Sequence, residues 1–224
     1  TELLKTYEAE RKIVAEVNSQ QSLDNTVKMF ELMPVLWGLD PEKQREHFEA
    51  FCLSDKPSPE LAAAIEIQRP HFDSLKLQLG YVYGETPHEA DENVEISHFQ
   101  PSFQVGARLP HGWVMAGGVR SSLLNLLPVD SFSLLVPNHE QDWTDALDEI
   151  DIPVLLLQEG RDFVGADQPW GEQAALKNIG AMLIRPDGHI SEVFGTKVNA
   201  SAYCLRAALA KQLRHSTLKT KETA

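Results

Sequence analysis

Arg108, His111 and Trp113 lie close together in the sequence, and their side chains form one small set of chemical tools. A guanidinium could hold an enolate or phenolate, an imidazole titrating near neutrality could move a proton, and an indole could stack on an aromatic ring. His98, which precedes Phe99 and follows an acidic run, is a second candidate acid or base, although a half-exposed loop position explains it as simply. His71 and Asp73 flank Phe72 and would make a His-carboxylate dyad only on a strand, where residues two apart face the same way. Asp162 and Asp167 sit either side of Phe163 in a loop between strand and helix, where one acid would cap the helix led by Pro169. His189 follows a turn glycine and is expected at solvent. Trp37, Trp143 and Trp170 are expected as core or interface anchors, and the acidic run 140–151 as a solvated face.

Other chemistries lack their residues. No G-x-G-x-x-G occurs to bring backbone amides against a dinucleotide pyrophosphate. Gly160 and Gly165 have P-loop spacing, but Ala166-Asp167 stand where Lys and Ser/Thr must meet phosphate and magnesium. Cys52 and Cys204 are too far apart for a paired-thiol redox centre, and the two thiols fit a reducing cytoplasm. His88 is followed four residues later by Glu92 instead of a second histidine, and there is no G-x-S-x-G elbow around Ser121-Ser122. With 33 acidic against 20 basic residues, net −13, neither nucleic acid nor an anionic membrane is an expected partner. The longest aliphatic run is Val154–Leu157, far short of a membrane span of about 20 residues.

The elements that must position these groups follow from periodicity. Leu3, Leu4, Tyr7, Ile13, Val14 and Val17 predict an amphipathic helix over 2–19 with one buried stripe. Asp24 or Asn25 is placed to cap a second helix that Pro34 bends or ends, Asp40-Pro41 to open a third, and Pro59 to open a fourth that stops before Pro70. Extended runs are expected at 75–83, 101–108, 131–136, 153–158 and 181–184. The last continues through a Pro186-Asp187-Gly188 turn into 189–194. Helical patterns cover 143–150, 169–179 and 198–213. The expectation is a helical lobe over 1–70, an extended run with an acidic loop over 71–100, a mixed α/β domain over 101–215 and a frayed tail over 216–224.

Several segments resemble the C-terminal third of class A FAD-dependent aromatic hydroxylases, the group of phenol 2-monooxygenase and the polyketide hydroxylases. Leu3-Leu4-Lys5-Thr6-Tyr7-Glu8-Ala9-Glu10-Arg11 is similar to the Leu-Leu-x-x-Tyr-x-x-Glu-Arg helix after that family's flavin-binding core. Leu79-Gly80-Tyr81-Val82-Tyr83 is similar to its Leu-Gly-Tyr-x-Tyr strand. Gly106-Ala107-Arg108-Leu109-Pro110-His111-Gly112-Trp113 resembles Gly-x-Arg-x-Pro-His-x-Trp, and Ile184-Arg185-Pro186-Asp187-Gly188-His189 resembles Val-Arg-Pro-Asp-Gly-His. After the hairpin turn the family's aromatic residue and arginine are replaced by Ser191-Glu192-Val193.

The resemblance implies a thioredoxin-like mixed sheet with flanking helices, preceded by an α-helical lobe. It offers no matching position for the family's flavin fingerprints, so no cofactor is expected on this chain alone, and FAD only with a flavoprotein partner or an upstream flavin-binding region. Two functions follow. The favoured one is a cofactor-independent cyclase, isomerase or dehydratase acting on a small aromatic or polyketide-like metabolite. Its catalytic candidates are Arg108, His111 and His98, and its substrate contacts Trp113, Tyr81 and Tyr83. The other is a noncatalytic assembly module of a phenol-hydroxylase-type monooxygenase, in which the same motif is structural. Either would form a homodimer to bury the helical stripe.

Overall fold

The computed structural model describes residues 2–54, 58–84, 96–137, 143–174, 176–198 and 200–213. The expected acidic loop from 85 to 95, the start of the 140–151 run and the tail beyond 213 lie outside them. The chain divides into two compact units, one of Glu8–Tyr81 and Thr86–Gln100, the other of Thr1–Tyr7, Val82–Glu85 and Pro101–Ala224.

The first unit is helical. α1 runs unbroken over Glu2–Trp37, belonging to this unit from Glu8 onward, followed by α2 (Gln44–Cys52), α3 (Pro59–Ile67), α4 (Arg69–Phe72) and α5 (Leu75–Leu79). Two expected helices are one because Asp24 and Asn25 accept side-chain bonds from Gln20 and Gln21 at i,i+4 within the helix, rather than capping a new one. Pro34 falls in the last turn, where Phe30 loses its helical donor at an exposed position that water can serve. Gly38 ends the helix with φ 73°, and its tip is fixed by a Trp37–Phe48 stack at 4.2 Å and by the His47 ring nitrogen on the Val35 carbonyl. The expected buried stripe is smaller than its spacing suggests: Val14 is buried, but Tyr7 and Val17 are exposed. Ser58 caps α3 as Pro59 predicts, through its hydroxyl on the Leu61 N–H. Residues 75–79, expected as extended, are helical. Their short apolar alternation serves a half-buried turn of helix as well as a strand.

The second unit is a three-layer α/β structure. β3 (Phe132–Val136) and β4 (Val154–Gln158) are parallel and joined by α6 (Thr144–Asp148). β6 (Ile179–Ile184) and β7 (Ile190–Gly195) form an antiparallel hairpin, followed by α8 (Ala202–Leu213). The strand order is β4-β3-β6-β7. Side chains alternate across β3: Leu134 and Val136 join Trp143, Leu205 and Leu209 under α6 and α8, whereas Leu135 faces the opposite way with Met182 and Ile184. A second sheet, of order β2-β1-β5, covers that other face. It consists of β1 (Trp113–Ala116), β2 (Val119–Ser122) and the two-residue β5 (Val164–Gly165). β1 and β2 join through Gly117-Gly118, both at positive φ, the requirement of a tight hairpin turn. α7 spans only Trp170–Gln173 of the longer helix expected there. The mixed sheet with flanking helices and a helical region before it agrees with the expected fold class. The substituted Ser191-Glu192-Val193 segment keeps its strand: Ser191 is buried, Glu192 pairs with Lys211 at 3.3 Å, and Val193 packs on the core.

Candidate functional site

The β1–β2 register decides which side chains share a face. Trp113 lies opposite Ser122, and Met115 lies opposite Arg120 on one side and Val164 on the other, so these five residues crop out together. Ser122 also accepts the Leu124 N–H at 3.2 Å, and its hydroxyl lies 2.8 Å from His111 Nδ1. That contact survives either protonation state, since the hydroxyl can donate to neutral Nδ1 or accept from the imidazolium. The His111 ring meets Trp113 edge-on at 4.8 Å, and the Arg120 guanidinium lies 5.0 Å from the indole centroid. Asp167 binds Arg120 at 3.3 Å. His111 and Trp113 therefore do meet, but the cation beside them is Arg120. Arg108 is half-buried, and its backbone bridges to His189.

The remaining candidates are dispersed. Tyr83 packs against His189 with the rings tilted by 35° and centroids 4.4 Å apart, and carries the Arg185 guanidinium at 5.2 Å. Tyr81, in the helical unit, receives a hydrogen bond from Arg11 at 3.4 Å. His98, in the same unit, is exposed with a ring nitrogen 3.1 Å from the Gln100 amide. His71 stacks on Phe72 at the end of a helical turn, so the strand its dyad with Asp73 needs is not formed. His189, expected at solvent, is 4% exposed. The turn folds it back under Tyr83, with Nδ1 3.3 Å from Asp187.

The acid that sequence reasoning passed over is Glu159. It is buried directly after β4, and its carboxylate accepts the N–H groups of Trp170, of Gly171 at 2.9 Å and of Gly165 at 3.3 Å. This replaces the cap expected from Asp162 or Asp167. Asp162 instead accepts the Gln158 N–H at 2.8 Å. The signal was an acid between an apolar strand and Gly160, a place where only a backbone-bound carboxylate is tolerated. Glu159 lies at the floor of an open groove of about 690 Å³ at the carboxyl ends of the two parallel strands, lined also by Pro137, Val164, Leu176 and Lys177.

Comparison with known families places this geometry. The model of the aromatic-ring hydroxylase C-terminal region matches residues 102–215. The chain belongs to the aromatic-ring hydroxylase C-terminal family. It is 24% identical to phenol 2-monooxygenase of Pseudomonas sp. (strain EST1001), covering 84% of this chain and 34% of that one. It is 27% identical to 2,4-dichlorophenol 6-monooxygenase of Delftia acidovorans, covering 95% and 40%. Among solved structures it is similar to the flavin-dependent monooxygenase PieE, in complex with FAD and substrate, with a TM-score of 0.69 at 26% identity over 95% of this chain and 40% of that one. Aklavinone-11 hydroxylase, in a ternary complex with FAD and aklavinone, shares the fold with a TM-score of 0.56 at 23% identity, over 95% of this chain and 35% of that one. The chain thus spans little more than a third of the curated relatives it matches.

In this aromatic-ring hydroxylase C-terminal chain, the two segments with the most specific resemblance are hydrogen-bonded to each other. Gly106 donates to Ile190, Ile190 to Ala107, and Leu109 to Gly188. Arg185 completes the knot with a 2.7 Å bond to Asp187. Burial pushes the Asp187 carboxyl up, but the His189 hydrogen bond and the Arg185 and His189 charges outweigh it and hold the pKa at about 2. Because the folded carboxyl ionises more readily than the unfolded one, its contribution is complete above about pH 4 and is lost as pH falls toward 2. Asp187→Asn is therefore expected to lower the urea midpoint at pH 7 and to flatten its decline between pH 4 and 2. An unchanged acid limb would contradict this assignment.

Proposed function

We propose that this chain is the noncatalytic C-terminal module of an FAD-dependent aromatic hydroxylase, acting with an FAD-binding part of that family. The observation that carries the reading is the face of α1. Leu23, Val27, Phe30, Pro34 and Trp37 recur at alternating spacings of four and three and are all exposed, which makes an apolar seam about four turns long, met at its Trp37 end by Phe48. The cofactor-free reading asks for acid and base groups converging on an enclosed apolar cavity. The groove at Glu159 is open, and His111, His98 and Tyr83 are held in separate clusters. The backbone N–H groups at the start of α7, where a strand end meets a helix, are already taken by the Glu159 carboxylate, so these residues do not fit a flavin pyrophosphate. FAD would be held by the partner part, and the phenol or polyketide-like substrate would be bound there as well.

Titrated with FAD alone, the chain is expected to leave the flavin band at about 450 nm as that of free FAD. Co-expressed with the FAD-binding part of a family member from the same genome, it is expected to purify as an equimolar yellow complex. Val27→Glu with Phe30→Glu should remove it from that complex without changing its far-UV circular dichroism. Turnover of a phenol or polyketide by the chain alone, lost in His111→Ala, would overturn the proposal.

A further inference from the structure

We propose that the groove at Glu159 binds a short zwitterionic peptide of two or three residues with apolar side chains. The groove opens at the carboxyl ends of β3 and β4, where open α/β sheets hold their ligands, and its volume of about 690 Å³ is that of a small-molecule site. Its floor carries a negative charge. Oε1 of buried Glu159 accepts the Gly165 and Trp170 N–H groups, whereas Oε2 accepts only that of Gly171, so an acceptor position remains on a carboxylate that lines the groove. Glu172, next in the chain to Gly171, adds an exposed carboxylate to the lining, and Lys177 supplies the opposite charge. Among the described residues, neither Glu172 nor Lys177 has its side chain in a hydrogen bond or an ion pair.

The ligand follows from that lining. Side chains on a helical turn meet at spacings of three or four, and Glu172 and Lys177 are five apart, so they stand as two separate charges rather than one pair. At about 1.5 Å per residue the turn between them spans roughly 7–8 Å, the length of two or three extended residues at about 3.5 Å each. An ammonium group fits the end with two carboxylates, and a carboxylate fits Lys177. Between the charges the walls are apolar, from Pro137, Val164, Pro169 and Leu176, which suits aliphatic side chains. Among the described residues that line the groove none is aromatic, so a phenol or polyketide ring would find nothing to stack on. Gln168, exposed on the rim, offers an amide to the peptide group. This inference rests on the groove alone and stands whether or not the α1 seam takes an FAD-binding part.

Isothermal titration calorimetry of the full chain at pH 7 tests it, with leucyl-alanyl-leucine, its N-acetyl and C-amide forms, and triglycine as probes. The free tripeptide is expected to bind with a Kd below about 1 mM. Acetylation, amidation and loss of the aliphatic side chains should each weaken binding at least about fivefold. Glu172→Gln should shrink the penalty for acetylation and leave that for amidation, and Lys177→Gln should do the reverse, both with unchanged far-UV circular dichroism. That crossed pattern separates recognition of two charged ends from apolar adhesion. No binding up to about 10 mM, equal affinity for the blocked peptides or for triglycine, or penalties that neither variant moves would each overturn the proposal.

Discussion

Glu159→Ala is expected to destabilise the α/β unit by about 3–5 kcal/mol, because one buried carboxylate serves three backbone donors, the buried Trp170 N–H among them. Hydrogen bonds to a charged acceptor contribute roughly 1.5–3 kcal/mol each, and three on one group add less than their sum. Alanine removes the acceptor but leaves the Trp170 N–H buried and unserved, which is the costly half of the change. Glu159→Gln keeps one carbonyl oxygen and should recover part of the loss. The measurement is urea unfolding followed by tryptophan fluorescence, since Trp143 and Trp170 are both buried in this unit. A loss under about 1 kcal/mol for the alanine variant would show the carboxylate to be dispensable.

Gly112→Ala should be nearly as damaging, by about 2–4 kcal/mol. A Cβ at position 112 would stand 2.6 Å from both Cδ1 and Nε1 of Trp170, closer than such atoms approach. The indole has nowhere to go. Phe103 and Phe163 meet it edge-on with centroids at 5.9 and 6.3 Å, and it is 2% exposed. The clash predicts a coupling: Trp170→Phe, destabilising beside glycine, should cost at least about 1 kcal/mol less beside alanine, because the smaller ring gives the methyl group room. Strict additivity in that double-mutant cycle would place the role of Gly112 elsewhere.

The strands β3, β4, β6 and β7 are legible in the sequence because both faces of that sheet are covered. β3, β4 and β6 are short, largely apolar runs, and Pro186-Asp187-Gly188 marks the tight turn that leads into β7. The β1–β2 hairpin is equally marked by Gly117-Gly118, but the short runs either side of it, with Ser121-Ser122 and the leucines after them, lack the alternation that would predict strands there. Missing the hairpin hid the site. His111 and Trp113 are neighbours in the chain, whereas Arg120 and Ser122 reach them only through a cross-strand register, and Asp167 arrives from a loop beyond β5. Arg108 stands beside His111 in the chain and Arg120 does not, but distance along a chain is a poor guide once a strand doubles back. The continuous α1 was hidden differently. Polar residues that cap helices also bond within them, and the choice depends on what the following turn packs against.

The pairing of residues 106–109 with 188–190 bears on how members of this family can be recombined. The two stretches come from opposite ends of the α/β unit, yet each supplies the other's main-chain acceptors, and Tyr83 and His189 seal the joint from above. A chimera with its crossover point between them inherits one half of a seam from each parent and must match both halves by chance. Crossovers that keep 83–213 from a single parent avoid that requirement and also leave the β6–β7 hairpin and α8 with the core they complete.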